Sequence, residues 1–303
     1  MLSHLLAERP HDGRSSAAPH WRGRQRDDAY DSPVPALIRL IHPAPTVAVV
    51  TLAGALAAIL SVQAGASASG PRVLLVTVSV LGSQVMTGAL NDWADRGRDT
   101  LVQPTKPIPA GKVRPATALA LAAAGLAVQV SASLPLGPAP LLLGLLASAS
   151  AVAYNLWLSR GAASFLPYLV SFGLLPVWIA AGVGAPLERV AAAPLLVGPF
   201  AVAAHLANTA RDFDADARMG SGNLAQRLGR RTAFAVAWGL AMATGIGVGT
   251  AFVIGGGLDA AALVLGAIGI AAVAQGIRGP GRLWAGMLVA AVCWTAAWAL
   301  ATG

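Results

Sequence analysis

Long apolar stretches, separated by short polar or proline-containing segments, fill the chain after residue 35. Nine of them are long enough to cross a bilayer as helices, since about 20 residues span its hydrocarbon core. They run approximately over residues 36–63, 71–91, 114–134, 139–158, 163–183, 190–208, 232–255, 259–277 and 281–301. The pattern predicts an all-α membrane protein in which one domain, residues 36–303, forms a bundle of nine transmembrane helices.

Composition supports a membrane protein. The chain is 56% hydrophobic and 11% charged, whereas soluble domains carry about 25% charged residues. Residues 1–35 differ, because they are rich in Arg, Asp, Ser and Pro and contain no long apolar segment. We expect them to form a disordered cytoplasmic tail without a cleavable signal peptide. The one cysteine, Cys293, lies in the last apolar stretch, where we expect an ordinary packing role.

The basic residues predict the orientation in the cell membrane. Nineteen of the 21 Lys and Arg residues fall in the tail or in alternate loops, and only Arg72 and Arg189 fall on the other side. By the positive-inside rule, the amino terminus and the loops rich in aspartate are cytoplasmic and the carboxyl terminus is outside. The formal charge of +8 thus reflects topology and anionic lipids, so neither nucleic acid nor an obligate protein partner is inferred.

Two groups of aspartates carry the chemistry. Asp92, Asp95 and Asp99, the first aspartate row, are spaced i, i+3 and i+7; Asp212 and Asp216, the second aspartate row, follow Asn208 at i+4 and i+8. Either spacing gathers side chains on one face of a helix. Neighbouring carboxylates repel unless cations lie between them, and Mg²⁺ prefers such oxygen ligands. We therefore predict that all five aspartates are catalytic Mg²⁺ ligands; Asp214 is a weaker candidate.

A simpler interpretation gives these aspartates no catalytic role. Ion pairs at helix ends would neutralise them equally well, and the basic residues available are Arg96, Arg98, Arg211 and Arg218. Against it, a basic segment with three prolines, residues 103–112, follows the first row. Its prolines predict a stiff loop that holds Lys106 within reach of a diphosphate. Residues 218–227, after the second row, predict a mobile loop instead.

These motifs resemble the UbiA superfamily of intramembrane prenyltransferases. Asn91 to Asp99 matches that family's N-D-x-x-D-x-x-x-D motif, and Lys106-Pro-Ile-Pro-Ala-Gly is similar to the R-P-I-P-S-G that often follows it. Asp212 and Asp216 match the second D-x-x-x-D motif, with Asn208 at a frequent Asn position, and residues 224–229 resemble T-L-A-x-x-L-G. Lys106 in place of Arg keeps the charge but loses bidentate geometry.

The resemblance implies helices around a cavity open to lipid, in which Mg²⁺ and an isoprenyl diphosphate bind. It implies transfer of the isoprenyl group to an acceptor, usually an aromatic ring related to 4-hydroxybenzoate or a quinone precursor, with release of diphosphate. It also suggests further substrate-binding residues, each with a structural alternative. Arg39 and His42 either contact the acceptor or have a structural role at the membrane interface. Tyr154 either contacts substrate or is an interfacial aromatic residue. Arg160 either contacts the diphosphate or anchors the topology, and His205 either contacts substrate or packs between helices.

Two other functions remain open. A terpene cyclase on the same scaffold would ionise the diphosphate with the same aspartates and use a double bond of the prenyl chain as nucleophile, which the sequence does not distinguish from a transferase. An ion-coupled transporter would place carboxylates near helix centres, whereas both rows lie at helix ends.

Overall fold

The computed structural model describes residues 33–254 and 259–302, and within them nine helical segments are long and apolar enough to cross a membrane. Residues 1–32 of the predicted tail lie outside the described residues. The twelve α-helices are α1 Pro33–Leu40, α2 Pro43–Gln63, α3 Pro71–Val102, α4 Pro115–Ser133, α5 Pro138–Leu156, α6 Leu166–Val183, α7 Ala193–Arg211, α8 Phe213–Arg218, α9 Leu224–Leu228, α10 Arg230–Ile254, α11 Ala260–Gln275 and α12 Pro280–Thr302. The predicted nine-span helical architecture is thereby confirmed.

Proline defines where many helices begin. Pro43, Pro71, Pro115 and Pro138 open α2, α3, α4 and α5, a position where the missing N–H costs nothing. The first predicted stretch is divided by such a start. His42 adopts the left-handed conformation (φ 50°) just before Pro43, so α1 and α2 are separate helices and the single helix predicted over 36–63 is wrong.

Helix α3 positions the candidate site. Its 32 residues make it about 48 Å long at 1.5 Å per residue, well beyond the roughly 30 Å hydrocarbon core. The apolar pattern ends near residue 91, but no proline or glycine pair stops the helix before Gln103-Pro104. The last three turns of α3, which carry the first aspartate row, therefore extend past the apolar stretch.

Close helix contacts hold α3 rigidly against α4. A Cβ added to Gly82 would lie 2.5 Å from the Gln129 nitrogen, and one added to Gly125 would lie 2.6 Å from the Met86 nitrogen. Buried hydroxyls support the same contact, since Ser79 and Ser133 lie 2.6 Å apart. Small residues let membrane helices approach this closely, and polar pairs strengthen them.

At the opposite end of α3, a single arginine ties three segments together. Arg72 donates from Nε to the Gly182 carbonyl at 2.9 Å and from Nη2 to the Leu136 carbonyl at 3.2 Å. Both acceptors lie near helix ends, where the last carbonyls have no N–H group of the same helix to bond with. Fixing α3 at this end and against α4 gives the aspartates at its other end a rigid support.

Candidate active site

The first aspartate row lies on the last three turns of α3, and all three carboxylates are buried. Each faces a basic group from another segment. Asp92 Oδ1 lies 3.1 Å from His42 Nε2 and 3.0 Å from Lys106 Nζ, Asp99 Oδ2 accepts from Lys106 Nζ at 2.8 Å, and Asp95 Oδ1 lies 3.6 Å from Arg160 Nη2. The helical spacing has brought the row together, and surrounding cations offset the cost of burying it.

Lys106 is held where the proline-rich segment predicts. The loop closes on itself through backbone hydrogen bonds, from Ala110 N to the Lys106 carbonyl at 2.9 Å and from Lys112 N to the Pro107 carbonyl at 2.9 Å. Burial alone would lower the Lys106 pKa, but the hydrogen bond to Asp99 and the charge of Asp92 outweigh it and raise the pKa. The ammonium is thus kept charged in the centre of the row.

The second aspartate row is interrupted. Helix α7 ends at Arg211, Asp212 has φ −92° and ψ 12°, and α8 begins at Phe213. Helical hydrogen bonds nevertheless continue across this point, from Asp212 N to the Asn208 carbonyl at 3.1 Å and from Asp216 N to the Asp212 carbonyl at 3.0 Å. Asn208 is exposed and Asp212, half-exposed, pairs with Arg211 Nε at 3.1 Å. Asp216, one turn further along, is buried.

Asp216 is buried, and its partners come from two other elements. Asn223 Nδ2 donates to its Oδ2 at 2.9 Å, and Arg98 Nη1 of α3 lies 3.6 Å from its Oδ1. Burial raises the Asp216 pKa; Arg98 and the Asn223 hydrogen bond oppose this, while the charges of Asp212 and Asp95 add to it. Because Arg98 directly precedes Asp99 on α3, its contact with Asp216 brings the second row close to the end of the first.

A cavity lies between the end of α3 and the second aspartate row. It measures about 330 Å³, and its lining residues are Arg98, Val102, Gln103, Arg211, Asp212, Ala215 and Asp216. Ligand pockets begin near this volume. With two arginines and two aspartates on its wall, it is suited to an anion that is accompanied by cations.

Carboxylate oxygens are suitable ligands for Mg²⁺, and waters or substrate phosphates would complete its coordination. Among the described residues, no group of three or more His, Cys, Asp or Glu side chains is arranged to hold a metal alone. Mg²⁺ is often bound by one or two carboxylates together with waters and substrate phosphates. Asp99 Oδ1 is buried and has no hydrogen-bond partner within the described structure, which leaves a hard oxygen lone pair available for a cation.

Other predicted residues lie at the edge of this region. Asn91 donates from Nδ2 to Asn155 Oδ1 at 3.1 Å, which joins α3 to α5. Arg39 is exposed and donates to the Thr105 carbonyl at 3.2 Å, so it supports the Lys106 loop. His42, from the α1–α2 break, reaches Asp92 directly.

Tyr154 and His205 belong to a buried aromatic group beside the rows. Tyr154 and Tyr168 meet edge to face with ring centroids 5.2 Å apart, and Tyr168 stacks on His205 at 4.5 Å. His205 Nε2 lies 3.1 Å from Ser164 Oγ. Tyr154 directly precedes Asn155, whose side chain accepts from Asn91 next to Asp92, so the group lies near the start of the first row. Aromatic rings are able to stabilise a nearby positive charge.

Sequence reasoning missed Asn223. Residues 218–227 predict a mobile loop, but α9 forms within them because Asn223 Oδ1 accepts from Gln226 N at 3.0 Å as an N-cap. The loop is also tied by Gly222 N to the Arg160 carbonyl at 2.9 Å and by Leu224 N to Ser164 Oγ at 3.2 Å. An Asn directly before a Leu-Ala-Gln-Arg-Leu run was the available signal.

The fold and site define an integral membrane protein that has two facing aspartate rows at one end of its helix bundle. Residues 47–281 match the UbiA prenyltransferase family, and the chain belongs to that family. A 116-residue segment is 39% identical to protoheme IX farnesyltransferase of Methylobacterium sp. (strain 4-46). That match covers 35% of this chain and 36% of the relative, so it spans about a third of each.

Solved structures share the fold. The chain aligns with a digeranylgeranylglyceryl phosphate synthase at a TM-score of 0.65 and 16% identity, over 88% of this chain and 98% of that one. A UbiA homologue from Aeropyrum pernix K1 aligns at 0.64 and 23% identity, over 82% and 96%. A UbiA homologue from Archaeoglobus fulgidus, bound to DMAPP and Mg²⁺, aligns at 0.64 and 16% identity, over 87% and 97%.

Proposed function

We propose that this protein is an Mg²⁺-dependent intramembrane prenyltransferase that moves an isoprenyl group from its diphosphate to an aromatic acceptor. The observation that carries the proposal is the contact between Arg98, next to Asp99 on α3, and Asp216 of the second row, whose atoms lie 3.6 Å apart on the wall of one cavity. A transporter would not need paired carboxylate rows at a single bundle end.

The basic residues would hold the diphosphate. Lys106, on its closed loop, and Arg160, beside Asp95, both exchange carboxylate partners for phosphate oxygens when substrate enters. Their attraction grows as negative charge collects on the leaving diphosphate, and interactions that strengthen towards the transition state accelerate the reaction. Asp92, Asp95, Asp99, Asp212 and Asp216 would hold Mg²⁺, which supplies Lewis-acid neutralisation of the leaving group when bound.

The helices would receive the isoprenyl chain and exclude water from the reacting carbon. Tyr154, Tyr168 and His205 form one aromatic group, and their rings would stabilise the developing allylic cation. His205 would then face the acceptor from the buried side of the site. Asn91 and Asn208 would contribute amide groups at the rim of the substrate site, and Arg39 would support it through the Thr105 carbonyl.

The proposed acceptor rests on membership of the family. An aromatic ring of the 4-hydroxybenzoate or quinone-precursor type follows from the usual acceptors of the family. A haem acceptor is the second candidate, because the protoheme IX farnesyltransferase is 39% identical over the matched segment. The active-site end faces the cytoplasm in this proposal, since nineteen of the 21 Lys and Arg residues fall on that side.

The test is turnover by the purified protein in detergent or nanodiscs with MgCl₂. Geranyl, farnesyl and geranylgeranyl diphosphate are each supplied with 4-hydroxybenzoate, dihydroxynaphthoate, homogentisate, a glycerol phosphate or protoheme IX. A prenylated aromatic product with stoichiometric diphosphate supports the proposal. Cyclic hydrocarbons formed without acceptor indicate a terpene cyclase, and no release of diphosphate from any substrate refutes both.

A further inference from the structure

Arg98 occupies an unusual place between the two aspartate rows. It lies on α3 one residue before Asp99, yet its guanidinium turns towards the other row, with Nη1 3.6 Å from Asp216 Oδ1. That distance is too long for a hydrogen bond. The contact is therefore an electrostatic one that leaves the directional N–H donors of the guanidinium uncommitted to Asp216.

One of those donors has no acceptor. Arg98 Nε is buried and lacks a hydrogen-bond partner within the described structure, and a buried unpaired donor of a charged group is costly. The side chain as a whole retains 27% exposure, and it lines the 330 Å³ cavity together with Arg211, Asp212 and Asp216. An anion in the cavity would satisfy the donor.

We propose that Arg98 is a substrate-binding residue whose guanidinium binds the diphosphate of the isoprenyl substrate and bridges it to the second aspartate row. The inference rests on the function proposed above and adds a residue to it. A planar guanidinium offers several donors in a fixed fork and suits phosphate oxygens better than a point charge does. Lys106 and Arg160 approach the first row, and Arg211 is paired with Asp212 at 3.1 Å, so Arg98 supplies the cation beside Asp216.

Arg96 provides a matched control on the same helix. It donates from Nη1 to the Trp93 carbonyl at 2.6 Å and lies over the Trp93 ring at 4.4 Å. Its guanidinium is thereby committed away from the cavity. Arg96→Gln removes the same charge at nearly the same height in the bundle without touching the proposed anion site.

The experiment measures binding of inorganic diphosphate to the full-length protein by calorimetry, in EDTA and in MgCl₂. We expect Arg98→Gln to weaken the Kd about 10- to 100-fold, as for loss of charged hydrogen bonds. Arg98→Lys should recover part of the affinity, and Arg96→Gln should bind like wild type. With geranyl diphosphate as substrate, the loss in Arg98→Gln should appear mainly in KM. Size-exclusion profiles and Tm values report folding; if Arg98→Gln fails to fold, Arg98→Lys carries the test.

Asp216→Asn separates direct binding from a merely structural role. If Arg98 binds the anion, Asp216→Asn in EDTA should keep or tighten diphosphate binding, since it removes a negative charge beside the guanidinium. If Arg98 only holds Asp216 in place, both substitutions should weaken binding alike, which would overturn the inference. Equal affinity of wild type and Arg98→Gln would overturn it while leaving the proposed function intact, and absence of binding by wild type in both buffers would overturn both.

Discussion

The Lys106 ammonium lies 2.8 Å from Asp99 Oδ2, at the centre of the first aspartate row. The same nitrogen lies 3.0 Å from Asp92 Oδ1, so one lysine balances two buried carboxylates that are seven residues apart on α3. A lysine in this position takes the place that a metal or a phosphate-bound cation would occupy. In the proposed function, substrate and Mg²⁺ would release it, and the protein without metal would depend on it for stability.

Replacing Lys106 by Met should destabilise the protein in EDTA. Breaking a buried ion pair from one side costs about 3 kcal/mol, because the remaining carboxylates lose their counter-charge. MgCl₂ should restore much of the loss, and so raise the Tm of the variant more than that of wild type. Lys106→Arg, which keeps the charge, should behave like wild type in EDTA. A Lys106→Met protein whose Tm in EDTA equals that of wild type would contradict this role.

Asp92→Asn and Asp212→Asn should each abolish diphosphate release while the protein stays folded. Either change removes a charged oxygen that the proposed chemistry needs, and we expect a loss of at least about 10²-fold in kcat. Asp214→Asn is the control, since Asp214 is exposed and pairs with Arg230. Diphosphate release is followed with a coupled phosphate assay. Normal turnover in either of the first two variants would remove that aspartate from the mechanism.

The contact between α3 and α4 predicts a strong position dependence of glycine substitutions. Gly82→Ala would place a Cβ 2.5 Å from the Gln129 nitrogen, so we expect it to destabilise by about 3 kcal/mol, at the upper end for overpacking. Gly97→Ala on the same helix has no neighbour within 4 Å. Its better helix propensity should stabilise by up to about 1 kcal/mol. Thermal unfolding of both variants distinguishes them; equal Tm values would show that α3 and α4 separate readily.

The sequence predicted the nine spans well because the length of an apolar stretch is a property of the chain alone. The first aspartate row could be predicted equally well, because Asp92 and Asp99 share a helix and their relative position depends only on the helical period. The predicted ends of the spans were wrong where a helix continues beyond its apolar residues. Residues 92–102 are polar, yet they remain helical because nothing in them breaks a helix.

Contacts between segments that are far apart in sequence could not be predicted in this way. Arg98 and Asp216 are far apart in sequence, and the spacing of basic residues alone allowed Arg98 to neutralise either row. The interruption between α7 and α8 at Asp212 has no glycine or proline that would predict it. Asn223 was hidden for the same reason: its cap of α9 is local, but its bond to Asp216 depends on how the loop folds back.

Asn223 should affect metal use and stability separately. Asn223→Ala loses both the cap of α9, worth about 1 kcal/mol, and the 2.9 Å hydrogen bond to Asp216. Asn223→Ser keeps a capping oxygen but loses the amide donor. We expect both variants to need about 10-fold more MgCl₂ for half-maximal activity, as for residues that orient metal ligands. Asn223→Ala should lower the Tm more than Asn223→Ser does, because it alone also loses the cap. An unchanged MgCl₂ midpoint in Asn223→Ser would restrict Asn223 to capping.

The orientation in the membrane is open to a labelling test that also uses Cys293. Because Cys293 lies on α12 away from both aspartate rows in sequence, Cys293→Ala should leave activity intact and provide a background without cysteine.

Two exposed alanines then report the two ends of the bundle: Ala217 on α8 beside the second row, and Ala68 in the loop before α3. In intact cells, a membrane-impermeant maleimide should label Ala68→Cys and spare Ala217→Cys, since the basic loops are expected inside. Permeabilised cells should label both, which controls for accessibility. Labelling of Ala217→Cys alone in intact cells would invert the orientation and place diphosphate binding on the outer face.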